Sequence, residues 1–442
     1  MSKFLKVMIV LLTIAAMASP AMAEIKLNGY YRLQGTVQSP TDGSAAAYQG
    51  QFENFLTTPA NKTAGNNAFF DQRLRLKMTD NLNDNISVVY YGELDAPFGA
   101  KSSKLSAGNG GQLSADGNML ETKNFYVDFK VPSSDWSVRT GIQGFGFGHY
   151  ESFVTDDDMT GISTRGTVGP IALTAGWFVW NRGQFSESAG VNFYSLNGEM
   201  KVNDQLKFGL TAADVKNDSA AAKNGTAAKT DDWYYGAYGD FTMAKIGFAG
   251  SLLFRNAVGQ DNNLTDGQTF MLNLYAKAKL ANAGNIKVHG IYIPADTSSK
   301  QNDRFSANQA GYELPSDNLM IFGTDAYYNN GSQGGLAVYS SAYAGYGLMA
   351  LMVSGDYKLP EAAYLKYGAG YFMAADKSPT HGVAKDNANL GAEFDAMVGK
   401  KFAEKYDLSL RGAYGLLGDF YKVGGQSPDD LYKVVAMLNV SF

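Results

Sequence analysis

The chain contains no cysteine among its 442 residues. It therefore forms neither a disulfide nor a thiolate metal site, and it lacks the CxxCH stretch that anchors a covalent haem. Histidine is scarce as well, with three (His149, His289 and His381), and proline is limited to eleven. After the first residues, no uninterrupted apolar run approaches the ~20 residues that a helical membrane span needs. An excess of basic charge is also missing: 37 Lys and Arg stand against 42 Asp and Glu, a formal net charge of −5, so nothing suggests a nucleic-acid partner. No linker or shift in composition divides the chain, although its length alone would suggest domains of ~150 residues each.

The opening segment carries Lys3 and Lys6, an apolar run from Val7 to Ala18 and then Ala21-Met22-Ala23. This reads as a secretory signal over residues 1–23, its core too short to span a bilayer and its small residues suited to signal peptidase. Residues 24–442 are then a single domain. The abundance of glycine and tyrosine, 50 and 27 residues, fits many strands flanked by aromatic girdles. If such a chain crosses a membrane, it does so as a closed barrel, because backbone groups in lipid must all be paired.

Alternation supports that reading. Ile25, Leu27, Gly29, Tyr31, Leu33, Gly35 and Val37 alternate with Lys26, Asn28, Tyr30, Arg32, Gln34 and Thr36. A soluble strand usually runs ~5–6 residues, whereas a tilted membrane strand needs ~9–11. Next, Leu74, Leu76 and Met78 are interleaved with Arg73, Arg75 and Lys77. Consecutive basic side chains on one face cannot look at lipid, where each costs roughly 2–4 kcal/mol at mid-bilayer, so that face looks into water. The same grammar repeats to the C-terminus and gives roughly 18 strands, with 16 as the alternative, and 295–344 leaves room for an extra hairpin that would change the count. Connections after odd strands are long and those after even strands short, as in a barrel with both termini in the periplasm. Pro170 to Trp180 and Tyr346 to Val353 are apolar on both parities, which reads as a second face covered by loops or by a neighbouring subunit.

The stretch from Lys123 to Ile162 carries a resemblance. YVDFKVP from Tyr126, VRTGIQ from Val138 and DDDMTGI from Asp156, followed by TAGWFVWNR over Thr174 to Arg182, are similar to the homotrimeric outer-membrane porins of anaerobic sulfate- and metal-reducing bacteria. The resemblance implies an all-β transmembrane antiparallel barrel with an inward-folded loop after strand 5, a homotrimer, and a setting of outer-membrane lipid and lipopolysaccharide. Phe442, with Val440 and Leu438 before it on the same face, resembles the signal read by the outer-membrane assembly machinery.

By parity Arg32, Arg73, Arg75, Lys77, Arg139, Arg165 and Arg411 face the lumen. An inward loop ending in Asp156, Asp157 and Asp158 would set acidic charge opposite them, a transverse field that sorts solutes by charge. The alternative is that these charges only solvate the wall. DDDMTG does not alternate its acids or close with glutamate as an EF-hand loop does, so no metal is expected there. None of the three histidines lies in a nucleophile motif such as GxSxG, and Gly144 to Gly148 lacks the following helix of a phosphate cradle. The sequence therefore predicts a passive porin without enzyme activity or cofactor. Its competitor is the barrel sheath of an electron conduit with extracellular or periplasmic cytochrome partners, and a membrane-embedded hydrolase is a remote third.

Overall fold

A computed structural model describes residues 25–39, 67–98, 121–147, 154–182, 190–217, 230–259, 267–280, 283–297, 305, 317–323, 336–337, 345–379, 384–422, 425 and 427–442. The segment read as a secretory signal lies outside them. Eighteen strands follow in chain order: β1 (Lys26–Gln38), β2 (Asn67–Asn81), β3 (Ile86–Pro97), β4 (Glu121–Lys130), β5 (Ser137–Phe147), β6 (Thr155–Val168), β7 (Ile171–Arg182), β8 (Gly190–Lys201) and β9 (Leu206–Asn217). The second half comprises β10 (Thr230–Met243), β11 (Ile246–Gly259), β12 (Gly267–Leu280), β13 (Gly284–Ile293), β14 (Leu348–Lys358), β15 (Ala363–Met373), β16 (Asn389–Phe402), β17 (Tyr406–Leu417) and β18 (Leu431–Ser441).

Each strand pairs antiparallel with its chain neighbours, and β1 also pairs with β18, with Tyr31 opposite Val440 and Leu33 opposite Leu438. The sheet is a closed 18-stranded barrel, so the 16-strand alternative is excluded. Closure leaves no strand edge without a partner, which is what a hydrocarbon surround demands of a backbone. At the seam, Gly29 and Phe442 exchange backbone hydrogen bonds of 3.0 Å in both directions. The Phe442 ring lies where a Cβ on Gly29 would sit, 2.9 Å away, so this glycine makes room for the terminal aromatic.

Period-two alternation decides which side chains face out. On β17, Leu408, Leu410 and Tyr414 are exposed while Ser409, Arg411 and Ala413 are buried. The outer surface is an apolar band edged by aromatics. Trp233, Tyr235, Tyr371 and Tyr414 stand near the end that carries the long connections, and Tyr357, Phe402 and Tyr406 near the end of the short turns. The short turns are tight: Glu361-Ala362 and Ala403-Glu404 all adopt positive φ, the handedness that matches strand twist in a two-residue hairpin.

Two departures from the sequence reading concern connections. β6 begins at Thr155 rather than at 161 and pairs with β5 along its length, Gly144 opposite Asp158 and Gly146 opposite Asp156. The acidic triplet therefore belongs to a strand. What remains of the β5–β6 connection, the proposed inward loop, falls largely on 148–153, outside the described residues. Within 295–344 the described residues add no strand.

The doubly apolar runs are also explained. Phe178 on β7 faces inward and packs with Phe145 at 4.5 Å and Phe193 at 6.2 Å between ring centroids, while Trp180 stacks on Phe193 at 5.0 Å. On β14, Ala350 and Met352 join the same buried cluster. The second apolar face in both runs is packed inside the barrel.

Leu410 stands outward, 55 % exposed, near the middle of β17. We expect Leu410→Arg to lower unfolding free energy in lipid vesicles by roughly 2–4 kcal/mol and Leu410→Phe to leave it nearly unchanged, measured by denaturant titration.

Candidate functional site

The inner wall is the candidate site, and the strand register composes it. Arg73 lies opposite both Arg32 on β1 and Asp95 on β3, while Arg75 lies opposite Tyr30 and Glu93. Arg73 donates two hydrogen bonds of 2.7 Å to Asp95 and also approaches Glu93 at 3.2 Å. Arg75 pairs with Glu93, its guanidinium 5.7 Å from the Tyr30 ring centre and 5.9 Å from that of Tyr91. Arg32, fully buried, pairs with Asp71 at 3.4 Å.

The same device recurs around the barrel. Arg139 grips Asp128 through two bonds of 2.8 and 2.9 Å and lies 4.0 Å over Tyr126. Arg411 pairs with Asp395 at 2.7 Å and Arg255 with Asp232 at 2.9 Å. Lys207 bridges Asp240 at 3.0 Å and Glu199 at 3.4 Å. Buried or half-buried charge is tolerated only when paired, and two-pronged arginine–carboxylate contacts are the strongest form of pairing.

The arginines and Lys77 expected in the lumen all have inward parity. Lys77 is exposed, and Arg165 is exposed with its Nε 3.1 Å from the Ser137 hydroxyl oxygen. Arg165 lines a cavity of about 330 Å³ beside the short turns, together with Asn81, Asn85, Asp128 and Lys130.

The acidic half of the expected eyelet needs correction. Consecutive strand residues must point to opposite faces, so Asp156, Asp157 and Asp158 cannot act together on the lumen. Asp157 shares the inward parity of Phe145 opposite it. Asp158 points outward, where Lys123 binds it at 2.6 Å and Asn124 donates a 2.6 Å hydrogen bond. The carboxylates that meet the arginines are instead Asp71, Glu93, Asp95, Asp128 and Asp395, supplied by adjacent strands.

The sequence reading also missed a segment that folds into the lumen from the β13–β14 connection. Residues 317–323, here called the strap, lie against the inner faces of β13 to β17. At one end Asp317 accepts a hydrogen bond from Lys287 at 2.7 Å and one from Ser354 at 3.0 Å, and lies 2.5 Å from His289 Nδ1. Burial works against its charge, but these partners hold its carboxyl below the usual carboxylate range. Asn318 donates to the carbonyls of Gly355 and Tyr367 at 3.2 and 3.1 Å. At the other end Glu393 on β16 accepts the backbone N–H groups of Met320, Ile321 and Phe322 at 2.6, 2.7 and 2.7 Å. Phe322 stacks on Phe372 with centroids 4.8 Å apart. Gly368 admits the strap, since a Cβ there would come within 2.6 Å of the Asp317 carbonyl oxygen.

His289 illustrates why these groups are no catalytic set. Its Nδ1 meets Asp317 and its Nε2 meets the Asn273 side-chain oxygen. With both nitrogens engaged by groups that are not nucleophiles, it lacks the free face a general base needs. Among the described residues, no cluster of His, Asp and Glu has the arrangement of a metal site.

No protein-family model matches the chain, and no curated protein matches it in sequence. Solved structures do match in fold. Acinetobacter baumannii OccAB1 is similar with a TM-score of 0.55 at 11% identity, covering 96% of this chain and 99% of that one. Pseudomonas aeruginosa OpdK, in a crystal structure with vanillate, gives 0.54 at 10% identity over 94% and 98%. P. aeruginosa OccK8 (OprE) gives 0.53 at 11% over 95% and 98%. These neighbours are outer-membrane porins of Gram-negative bacteria. At such identities the likeness establishes the barrel fold, and coverage of nearly the whole of both chains extends it from first strand to last.

Asp395 and Arg411 offer a direct test of the wall, both side chains being almost fully buried. Asp395→Leu alone should cost about 3–5 kcal/mol, because it strands a buried guanidinium. The double variant Asp395→Leu/Arg411→Met should recover most of that loss. Unfolding titrations of the two variants in vesicles measure the difference.

Proposed function

We propose that the chain is an outer-membrane porin, a water-filled channel for passive diffusion of small hydrophilic solutes and ions. One observation carries the reading. A sheet closed on itself presents an aromatic-edged apolar band outward while ion pairs line its inner wall. An apolar exterior suits lipid, and a charged interior suits water and dissolved ions. The fold likeness to outer-membrane porins supports the same reading.

Within this proposal residues 1–23 are the secretory signal, and the short turns with both termini face the periplasm. The DDDMTGI and TAGWFVWNR motifs support membership of the trimeric porin group named above, and with it a homotrimer. Phe442 serves the assembly machinery from its place over Gly29, with Val440 and Leu438 on the same outward face. Within the proposal the passage is bordered by the partly exposed pairs Arg73–Asp95, Arg75–Glu93 and Arg139–Asp128, while Arg32 and Arg411 with their carboxylates lie buried in the wall behind it. The strap also argues against a cytochrome sheath, since a haem protein in the lumen would compete with it for space.

Purified protein in planar bilayers should produce discrete current steps, and vesicles containing it should admit small sugars and an aromatic carboxylate such as vanillate. Absence of both currents and uptake from folded protein would refute the porin. Arg73→Gln/Arg75→Gln should shift the reversal potential toward cation preference. Asp157→Asn should shift it toward anions, whereas Asp158→Asn, altering the outward face, should leave it unchanged.

A further inference from the structure

Glu393 is fully buried on an inward-facing position of β16 and spends both carboxylate oxygens on the main chain of the strap. Three of its acceptor contacts come from this one passing segment, beside a side-chain contact with Asp395, and its own strand is paired throughout by β15 and β17. Hydrogen bonds to a charged acceptor are stronger than neutral ones, and in a site sheltered from water they depend on the segment staying in place. Asp317, at the other end, is fixed to β13 and β14 through Lys287, His289 and Ser354. Between these anchors Leu319, Met320, Ile321 and Phe322 are at most 1% exposed.

We infer that Glu393 is a positioning residue that holds the strap against the inner wall and so sets the free cross-section of the passage. The consequence for transport rests on the porin reading; the holding role does not. The strap is held to the wall by side chains and not by a strand ladder, its own carbonyls at Ile321 and Phe322 accepting from the backbone of Leu336 and Ala337, so it can leave the wall while the barrel stays closed. Releasing its Glu393 end lets these four apolar side chains, with Leu336 and Ala337 bonded to the strap, move off Phe372 and the glycines beneath them, and the lumen beside them changes width.

Because the chain has no cysteine, a single introduced thiol reports alone. Met320→Cys places it at a fully buried strap position. In otherwise unaltered protein it should react slowly with a charged methanethiosulfonate reagent. Adding Glu393→Ala should speed labelling on the order of tenfold or more, the population shift expected from losing even one hydrogen bond to a charged group. Glu393→Gln, which keeps one acceptor oxygen and presents an N–H₂ to the remaining donor, should give an intermediate rate and serves if Glu393→Ala fails to fold. Labelling is scored only on protein that keeps its unheated, folded gel mobility. Single-channel conductance of Glu393→Ala should differ from that of the parent in mean or in noise. Equal labelling rates in all three backgrounds would overturn the holding role, and faster labelling with identical conductance would overturn control of the cross-section. A parent protein that conducts nothing would sink the porin reading while the labelling comparison still judged the latch.

Discussion

A sheet that closes on itself has only two faces, and neighbouring residues on a strand cannot share one. From this constraint the rest of the structure follows. Outward positions carry the apolar band and its aromatic edges, and inward positions carry most of the charge, with the Lys123–Asp158 pair among the exceptions. Since antiparallel register sets inward side chains of adjacent strands side by side, an arginine can find its carboxylate across one strand gap, as Arg73 does with Asp95 and Arg139 with Asp128. The wall is thus a mosaic of local pairs, in which opposite charges alternate at short range instead of standing as one basic and one acidic side.

The interior is filled from two directions. Aromatic side chains of β5, β7 and β8 pack on one another, and the strap adds apolar groups over β13 to β17. Interiors of this kind are closely packed, so the strap's position is determined by shape as well as by its two carboxylates. Glu393 carries the polar cost of bringing irregular backbone into the barrel, because each buried N–H that leaves water must find an acceptor, and Asp317 ties the other end to side chains of the wall.

Much of this was legible in the chain itself. Alternation such as that of Leu27 to Val37 reports the lipid–water boundary directly, so strand number, facing and the inward parity of every predicted lumen arginine follow from it. The aspartate triplet misled because it reads as the end of an inward loop. In the structure, Gly144 and Gly146 are ladder positions opposite Asp158 and Asp156, and pairing then splits the triplet between faces. The strap was not legible, since its contacts join residues as far apart as 73 positions in sequence, Met320 with Glu393. A signal did exist: Glu393 and Asp395 are inward acids, and the run from Tyr346 to Val353, apolar on both faces, required something inside the barrel to cover it.

The central claim is that one face of each strand meets lipid and the other does not. It is tested most directly by a fluorophore attached to single cysteines along β9, with the protein in vesicles containing nitroxide-labelled lipid. Labels at Leu206, Phe208 and Leu210 should be quenched by the lipid and those at Lys207, Thr211 and Ala213 should not. Quenching without a two-residue period would contradict the account.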